Sequence, residues 1–228
     1  MGTAPIAIAL DSHEIEVLRE WVLQTREIVS TLKIGLETFY RVGEDAIDLV
    51  RDSGCDLFLD VKLHDIPNTV AGAAAALARY SPKYLTVHAS GGPEMVRAAC
   101  EALPDTLITA VTVLTSLDDQ ILREVGICTP AHDTVLRQAI SAVEAGARAI
   151  VCSPHEVGRV RSEVGSDVVL ITPGVRPAGA AIDDQKRVMT PVEALAAGAD
   201  LLVIGRPITG AVNINSAALA IATEIDPT

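Results

Sequence analysis

The strongest constraint on how this chain folds is an alternation. Short apolar runs rich in β-branched residues recur along its length, each followed by a longer stretch with helical character. The strand candidates are residues 5–10, 31–34, 56–61, 83–88, 107–114, 149–152, 168–172 and 201–204. Helix-forming stretches include 14–28, 37–53 and 93–102, and the connection after the fifth strand has room for a small helix and a full one. Three strands are entered the same way, through Ser53-Gly54-Cys55-Asp56, Ala145-Gly146-Ala147-Arg148 and Ala197-Gly198-Ala199-Asp200. Glycine accepts the left-handed conformation that ends a helix, so each segment closes one unit and opens the next. Eight such units in 228 residues predict a (β/α)8 TIM barrel, an α/β fold with residues 1–228 forming one domain. A doubly wound open sheet needs a glycine-rich turn after its first strand. Here that strand runs into Ala9-Leu10-Asp11-Ser12-His13, which favours the barrel. Composition agrees: 49% of residues are hydrophobic but only 3% aromatic, so the core is built from Ala, Val, Leu and Ile. Strands buried on both faces read this way.

Several function classes are disfavoured. A net charge of −12 and a pI near 4.8 oppose binding to nucleic acid or an anionic membrane. The longest apolar run, 70–78, is too short to cross a bilayer. No basic segment precedes the apolar stretch 4–10, so no signal peptide is expected. Cys55, Cys100, Cys128 and Cys152 form no C-x-x-C pair and read as buried free thiols of a reducing compartment. The expected location is the cytoplasm.

Barrel enzymes carry their chemistry at the C-terminal ends of the strands. Those ends hold Asp11, Lys33, Asp60, Lys62, Asp65, His88, Ser90, Thr115, Ser116, Ser153, Arg176 and Arg206. The densest stretch is Leu59-Asp60-Val61-Lys62-Leu63-His64-Asp65-Ile66-Pro67-Asn68-Thr69. Side chains two apart share a strand face, so Asp60 and Lys62 project together into the barrel mouth. Leu59, Val61 and Leu63 then face the helical layer. Lys33 ends the neighbouring strand and Asp65 lies just beyond, so two lysines and two aspartates can alternate in sign. Carboxylates beside Lys62 favour its ammonium form, a held proton donor. A Schiff-base aldolase needs the opposite, a neutral amine. Gly174 with Arg176, and Gly205 with Arg206, follow the seventh and eighth strands. Barrels commonly bind phosphate there, and guanidinium forks match phosphate geometry. His64 and His88 lack H-x-H or H-E-x-x-H spacing and sit beside lysines, so they read as hydrogen-bonding groups, and no metal is expected.

At these residues the chain resembles the orotidine 5′-phosphate decarboxylase family in its short bacterial form. The likeness runs in order through Ala9-Leu10-Asp11, Leu32-Lys33-Ile34-Gly35-Leu36-Glu37, Asp60 to Thr69, His88-Ala89-Ser90-Gly91-Gly92 and Val111-Thr112-Val113-Leu114-Thr115-Ser116. It closes with Thr172-Pro173-Gly174-Val175-Arg176-Pro177, Asp183-Asp184-Gln185-Lys186-Arg187-Val188 and Val203-Ile204-Gly205-Arg206-Pro207-Ile208-Thr209. The D-x-K-x-x-D core is shared with sister decarboxylases and aldolases, whereas the H-D-I-P-N-T, P-G-V-R-P and D-D-Q-K-R segments are more specific. The resemblance implies decarboxylation of orotidine 5′-monophosphate to uridine 5′-monophosphate, the last step of de novo pyrimidine nucleotide synthesis, without a cofactor. It implies that Lys62 protonates the ring carbon left by CO2, within a network of Asp60, Lys33 and Asp65. Asp65 and Thr69 are then expected from the partner subunit of a homodimer. Asp11 and Lys33 are implied to bind ribose hydroxyls, Thr115 or Ser116 the pyrimidine edge, and Arg176, Gln185, Gly205 and Arg206 the phosphate. Ile66 and Asn68 join the same substrate-binding set. The segment 177–187 is expected to act as a lid.

Other readings are a Mg²⁺-dependent sugar-phosphate decarboxylase or synthase on the same D-x-K-x-x-D core, a class I aldolase, or a silent nucleotide-binding barrel. The intact pyrimidine-side and phosphate-side segments favour the cofactor-free decarboxylase. The charge of −12 is then a property of the outer helices. Lys33, Lys62, Arg176 and Arg206 concentrate positive charge in one cleft, where an anionic nucleotide fits.

Overall fold

The alternation of apolar runs becomes eight parallel strands: β1 (Ala4–Ala9), β2 (Val29–Gly35), β3 (Asp56–Leu63), β4 (Tyr84–His88), β5 (Leu107–Val111), β6 (Ala149–Val151), β7 (Val169–Pro173) and β8 (Leu201–Ile204). In this computed structural model, which describes residues 3–177 and 189–226, they pair in chain order and β8 closes onto β1. All eight predicted strands are present, and the (β/α)8 barrel is the observed fold.

The period-2 alternation of each strand divides the core into two layers. Ala7, Phe58, Tyr84, Ala149, Ile171 and Leu201 point into the barrel, where the Phe58 and Tyr84 rings lie 5.4 Å apart. The residues between them, such as Ile6, Ile8, Leu57, Leu59, Leu85 and Leu202, meet the helices through Leu18, Val50, Met95, Val135 and Ala218. With so few aromatics in the chain, this ring pair supplies the bulkiest of these inward side chains.

Local sequence explains the departures from expectation. The segment 37–53 is two helices, Leu36–Arg41 and Glu44–Ser53, because Gly43 takes a left-handed φ of 68° that breaks the helix. The three repeated glycines behave as predicted: Gly54, Gly146 and Gly198 all have positive φ before the next strand. β5 stops at Val111 rather than running to residue 114. The strand pairing ends there with the Thr112 N–H and hydroxyl both donating to the Val151 carbonyl, at 3.2 and 2.8 Å. Two helices, Asp119–Glu124 and Ala131–Glu144, fill the long connection as expected. The cysteines are free, but only Cys152 is buried, and Cys128 is exposed because it lies in the loop between those helices.

Candidate active site

The site grows from β1, β2 and β3, which deliver a row of alternating charges. Asp11 leaves the end of β1 in a turn held by the buried Thr38 hydroxyl. That oxygen lies 2.6 Å from the Leu10 carbonyl and 3.0 Å from that of Ser12, and it accepts the Ser12 N–H at 3.1 Å. Asp11 Oδ1 is 3.8 Å from Lys33 Nζ, Lys33 Nζ is 3.2 Å from Asp60 Oδ2, and Asp60 Oδ1 is 2.7 Å from Lys62 Nζ. β2 runs to Gly35, so Lys33 sits inside the strand rather than ending it. Gly35 keeps the row close-packed. A Cβ there would meet Asp11 Oδ1 at 2.8 Å and Lys33 Nζ at 3.1 Å.

Asp60 is the hinge of this array. Its side chain is 14% exposed. Burial alone pushes its carboxyl upward, but Lys33 and Lys62 outweigh burial, and the net direction is down. It is therefore an anion between two cations, the arrangement in which a buried charge is tolerated. Lys62 follows on a distorted piece of β3. There β3 advances from Leu59 to Leu63 while β4 advances only from Leu85 to Val87. Lys62 itself takes a φ of 47°, rare for a residue with a side chain. The face assignment still holds: Leu59 is buried in the outer core, and Val61 and Leu63 pack against it. Beside Lys62, the His64 and His88 rings stand 5.3 Å apart. Burial first, then the nearby His64 and Lys62, pushes the His88 imidazole down, toward its neutral form. Among the described residues no group of His, Cys, Asp and Glu is arranged to hold a metal ion.

The remaining predicted residues are placed differently. A cavity of about 200 Å³ lies over the Phe58 ring, lined by Lys33, Asp60 and Lys62 on one side and by Val111, Val113, Leu114 and Thr115 on the other. Thr115 lines it and Ser116 is exposed beyond. Asp65 stands apart from the row. Among the described residues it forms no ion pair, and its Oδ1 accepts the Ile66 N–H at 2.6 Å. Within one chain the alternating four are thus Asp11, Lys33, Asp60 and Lys62. Ile66, Asn68 and Thr69 are exposed at the start of the helix Pro67–Leu77.

A family model described as "Orotidine 5'-phosphate decarboxylase / HUMPS family" matches residues 4–221. The chain belongs to this family. It is 60% identical over 226 residues to a protein of Thermobifida fusca named orotidine 5′-phosphate decarboxylase, covering 99% of this chain and 97% of that one. A protein of the same name from Frankia casuarinae is 49% identical over 239 residues, covering 97% and 87%. The crystal structure of orotidine 5′-phosphate decarboxylase from Lactobacillus acidophilus superposes with a TM-score of 0.85 at 35% identity, covering 98% of this chain and 100% of that one.

Around the rest of the mouth of this decarboxylase-family barrel, Arg176 is buried just after β7, with Nη1 3.2 Å from the Val175 carbonyl. Gly205 precedes the exposed Arg206 after β8 and packs on Ala9, where an added Cβ would lie 3.4 Å from the Ala9 Cβ. Gln185 and most of the expected lid, residues 178–187, lie outside the described residues. Sequence reasoning missed Thr38, Gly35 and Thr86. The signal for Thr86 was present: it is a polar residue two positions before His88, on the inward face of an otherwise apolar strand.

Proposed function

We propose that this chain decarboxylates orotidine 5′-monophosphate to uridine 5′-monophosphate, as a cytoplasmic homodimer, using protein side chains alone. One observation carries the reading: the Asp11–Lys33–Asp60–Lys62 row beside a small, largely apolar cavity, in a chain of this family. Loss of CO2 breaks the bond between the ring carbon and the carboxylate and leaves the electron pair in the ring plane, where the π-system does not delocalise it. A fixed ammonium beside that carbon stabilises the developing charge. Lys62 then gives its proton to the carbon, forming the new C–H bond, and regains one from solvent.

The other residues hold the substrate. Asp11 and Lys33 face the ribose hydroxyls, Thr115 or Ser116 the pyrimidine edge, and Arg176, Arg206, the Gly205 backbone and Gln185 the phosphate. Binding energy from the remote phosphate lowers the barrier at the ring. Asp65 and Thr69 serve the neighbouring site, with Ile66 and Asn68 beside them. Support for this comes from the exposure of residues 64–66 and the 66% exposure of the apolar Ile66.

The test follows ultraviolet absorbance of orotidine 5′-monophosphate with chelator-treated protein. Expected is turnover that the chelator does not slow and that Lys62→Ala abolishes. No turnover, or activity only on a sugar phosphate with added Mg²⁺, overturns the reading. Mixing inactive Lys62→Ala and Asp65→Ala proteins tests the shared site, because a mixed dimer regains one intact site.

A further inference from the structure

Lys62 takes a φ of 47°, rare for a residue with a side chain, and its backbone N–H is bound by Thr86. The Thr86 side chain is fully buried on the inward face of β4, between Tyr84 below and His88 above. Its hydroxyl oxygen accepts the Lys62 backbone N–H at 2.8 Å. The same oxygen lies 3.2 Å from Asp60 Oδ1 and 3.5 Å from the Leu59 carbonyl. A hydroxyl has one proton, and the carboxylate is both the nearer and the charged acceptor. Thr86 therefore touches the two ends of the Asp60–Lys62 contact at once: the backbone of the ammonium donor and the oxygen that the ammonium binds.

The distorted stretch of β3 makes this bridge necessary. Where β3 gains residues against β4, regular ladder bonds are lost and the Lys62 N–H needs another acceptor. We propose that Thr86 is a positioning residue of the decarboxylation, pinning the left-handed backbone of Lys62 and orienting Asp60 so that the ammonium stands over the reacting carbon. It touches no substrate in this role. The inference rests on the function proposed above and adds a residue to it.

The test compares Thr86→Val, which keeps the shape and removes the hydroxyl, with Thr86→Ser, which keeps the hydroxyl. Each is assayed on orotidine 5′-monophosphate well below its melting temperature, and its affinity for uridine 5′-monophosphate is measured by calorimetry. For Thr86→Val, kcat is expected to fall roughly 10- to 100-fold, the scale of one lost hydrogen bond to a charged group. Product affinity is expected to change by less than about 3-fold. Thr86→Ser is expected to restore most of the rate. The acid limb of the kcat/KM profile is expected to move upward in Thr86→Val, because Asp60 loses a donor to its anion. A role confined to packing moves none of these together.

If Thr86→Val does not fold, Thr86→Cys takes its place with the same expected signs, since a thiol is a weak donor and acceptor. A folded Thr86→Val with wild-type kcat overturns the inference. So does a parallel loss of rate and product affinity, or a Thr86→Ser no faster than Thr86→Val. Wild-type protein that leaves orotidine 5′-monophosphate untouched overturns the proposed function and the inference with it, whereas active wild type beside an equally active Thr86→Val overturns the inference alone.

Discussion

Two lysines enter one charge cluster from adjacent strands, and the strands treat them differently. Lys33 lies in a regular stretch of β2, paired with Ala9 on one side and Phe58 on the other, and its side chain is 8% exposed between Asp11 and Asp60. Lys62 lies in the distorted stretch of β3 with a left-handed φ, is 28% exposed, and among the described residues has one carboxylate partner. A fixed charge is best built on regular structure, where the strand ladder holds it. A group that must face a reacting atom and exchange its proton with solvent needs access. The β3 irregularity lifts Lys62 toward the cavity while Asp60 keeps it tethered. The contrast suits the roles proposed above, Lys33 for holding and Lys62 for chemistry.

The widest separation between them is expected in rate. Lys62→Ala removes the proposed proton donor and should lower kcat by at least the roughly 10²- to 10⁴-fold that general acid catalysis contributes. Lys33→Ala should raise KM as well, because it also loses the proposed ribose contact. Steady-state kinetics on orotidine 5′-monophosphate separates the two patterns, and equal effects on kcat alone would erase the distinction. Gly35→Ala tests the Lys33 side by crowding. Its new methyl meets Asp11 and Lys33 at closer than contact distance, so the row must spread. A cost of about 1–3 kcal/mol is expected for overpacking, with a rate loss of roughly ten-fold or more. A variant with wild-type kinetics would show that the row tolerates loosening.

How much of this could be read in the sequence depends on range. The eight strands, their glycine-marked entries and the Asp60–Lys62 face follow from local period and from residues adjacent in the chain. The irregularity at Lys62 does not, because it exists only as a mismatch between β3 and β4, residues far apart in sequence. Thr38 escaped for the same reason, since it supports a turn more than twenty positions away, and the partner of Thr86 lies as far off, at Lys62. Gly35 lies within a segment the family likeness covers, yet its reason for being glycine is the Asp11 carboxylate of another strand. Asp65 follows the motif in sequence but stands outside the row in space, because the chain turns into the helix Pro67–Leu77 and its carboxylate accepts the Ile66 N–H there.

Asp60, the carboxylate both lysines share, offers a pH test. Its carboxyl is held below its ordinary value in the folded protein, burial being outweighed by Lys33 and Lys62. Its stabilisation is therefore fully present above the unfolded value and is lost as pH falls through the lower folded value. In urea titrations, the stability gap between wild type and Asp60→Asn should stay level from about pH 7 to about pH 4.5 and narrow only on further acidification. A gap that closes near neutrality would mean that Asp60 is not held as an anion by the pair.

The smallest effect tests the backbone alone. At a left-handed position any side chain costs roughly 1–2 kcal/mol relative to glycine, while in a regular strand glycine is the worse residue by about 0.5–1 kcal/mol. With both lysines truncated, the chemistry is gone and only conformation distinguishes the sites. Lys62→Gly should then be more stable than Lys62→Ala by about 1 kcal/mol, and Lys33→Gly less stable than Lys33→Ala by a similar amount. Four denaturation curves measure it. Opposite signs at the two positions mean that β3 holds Lys62 under strain that β2 does not impose on Lys33. The same sign at both would place the two lysines on equivalent backbone and remove the structural basis for their division of labour.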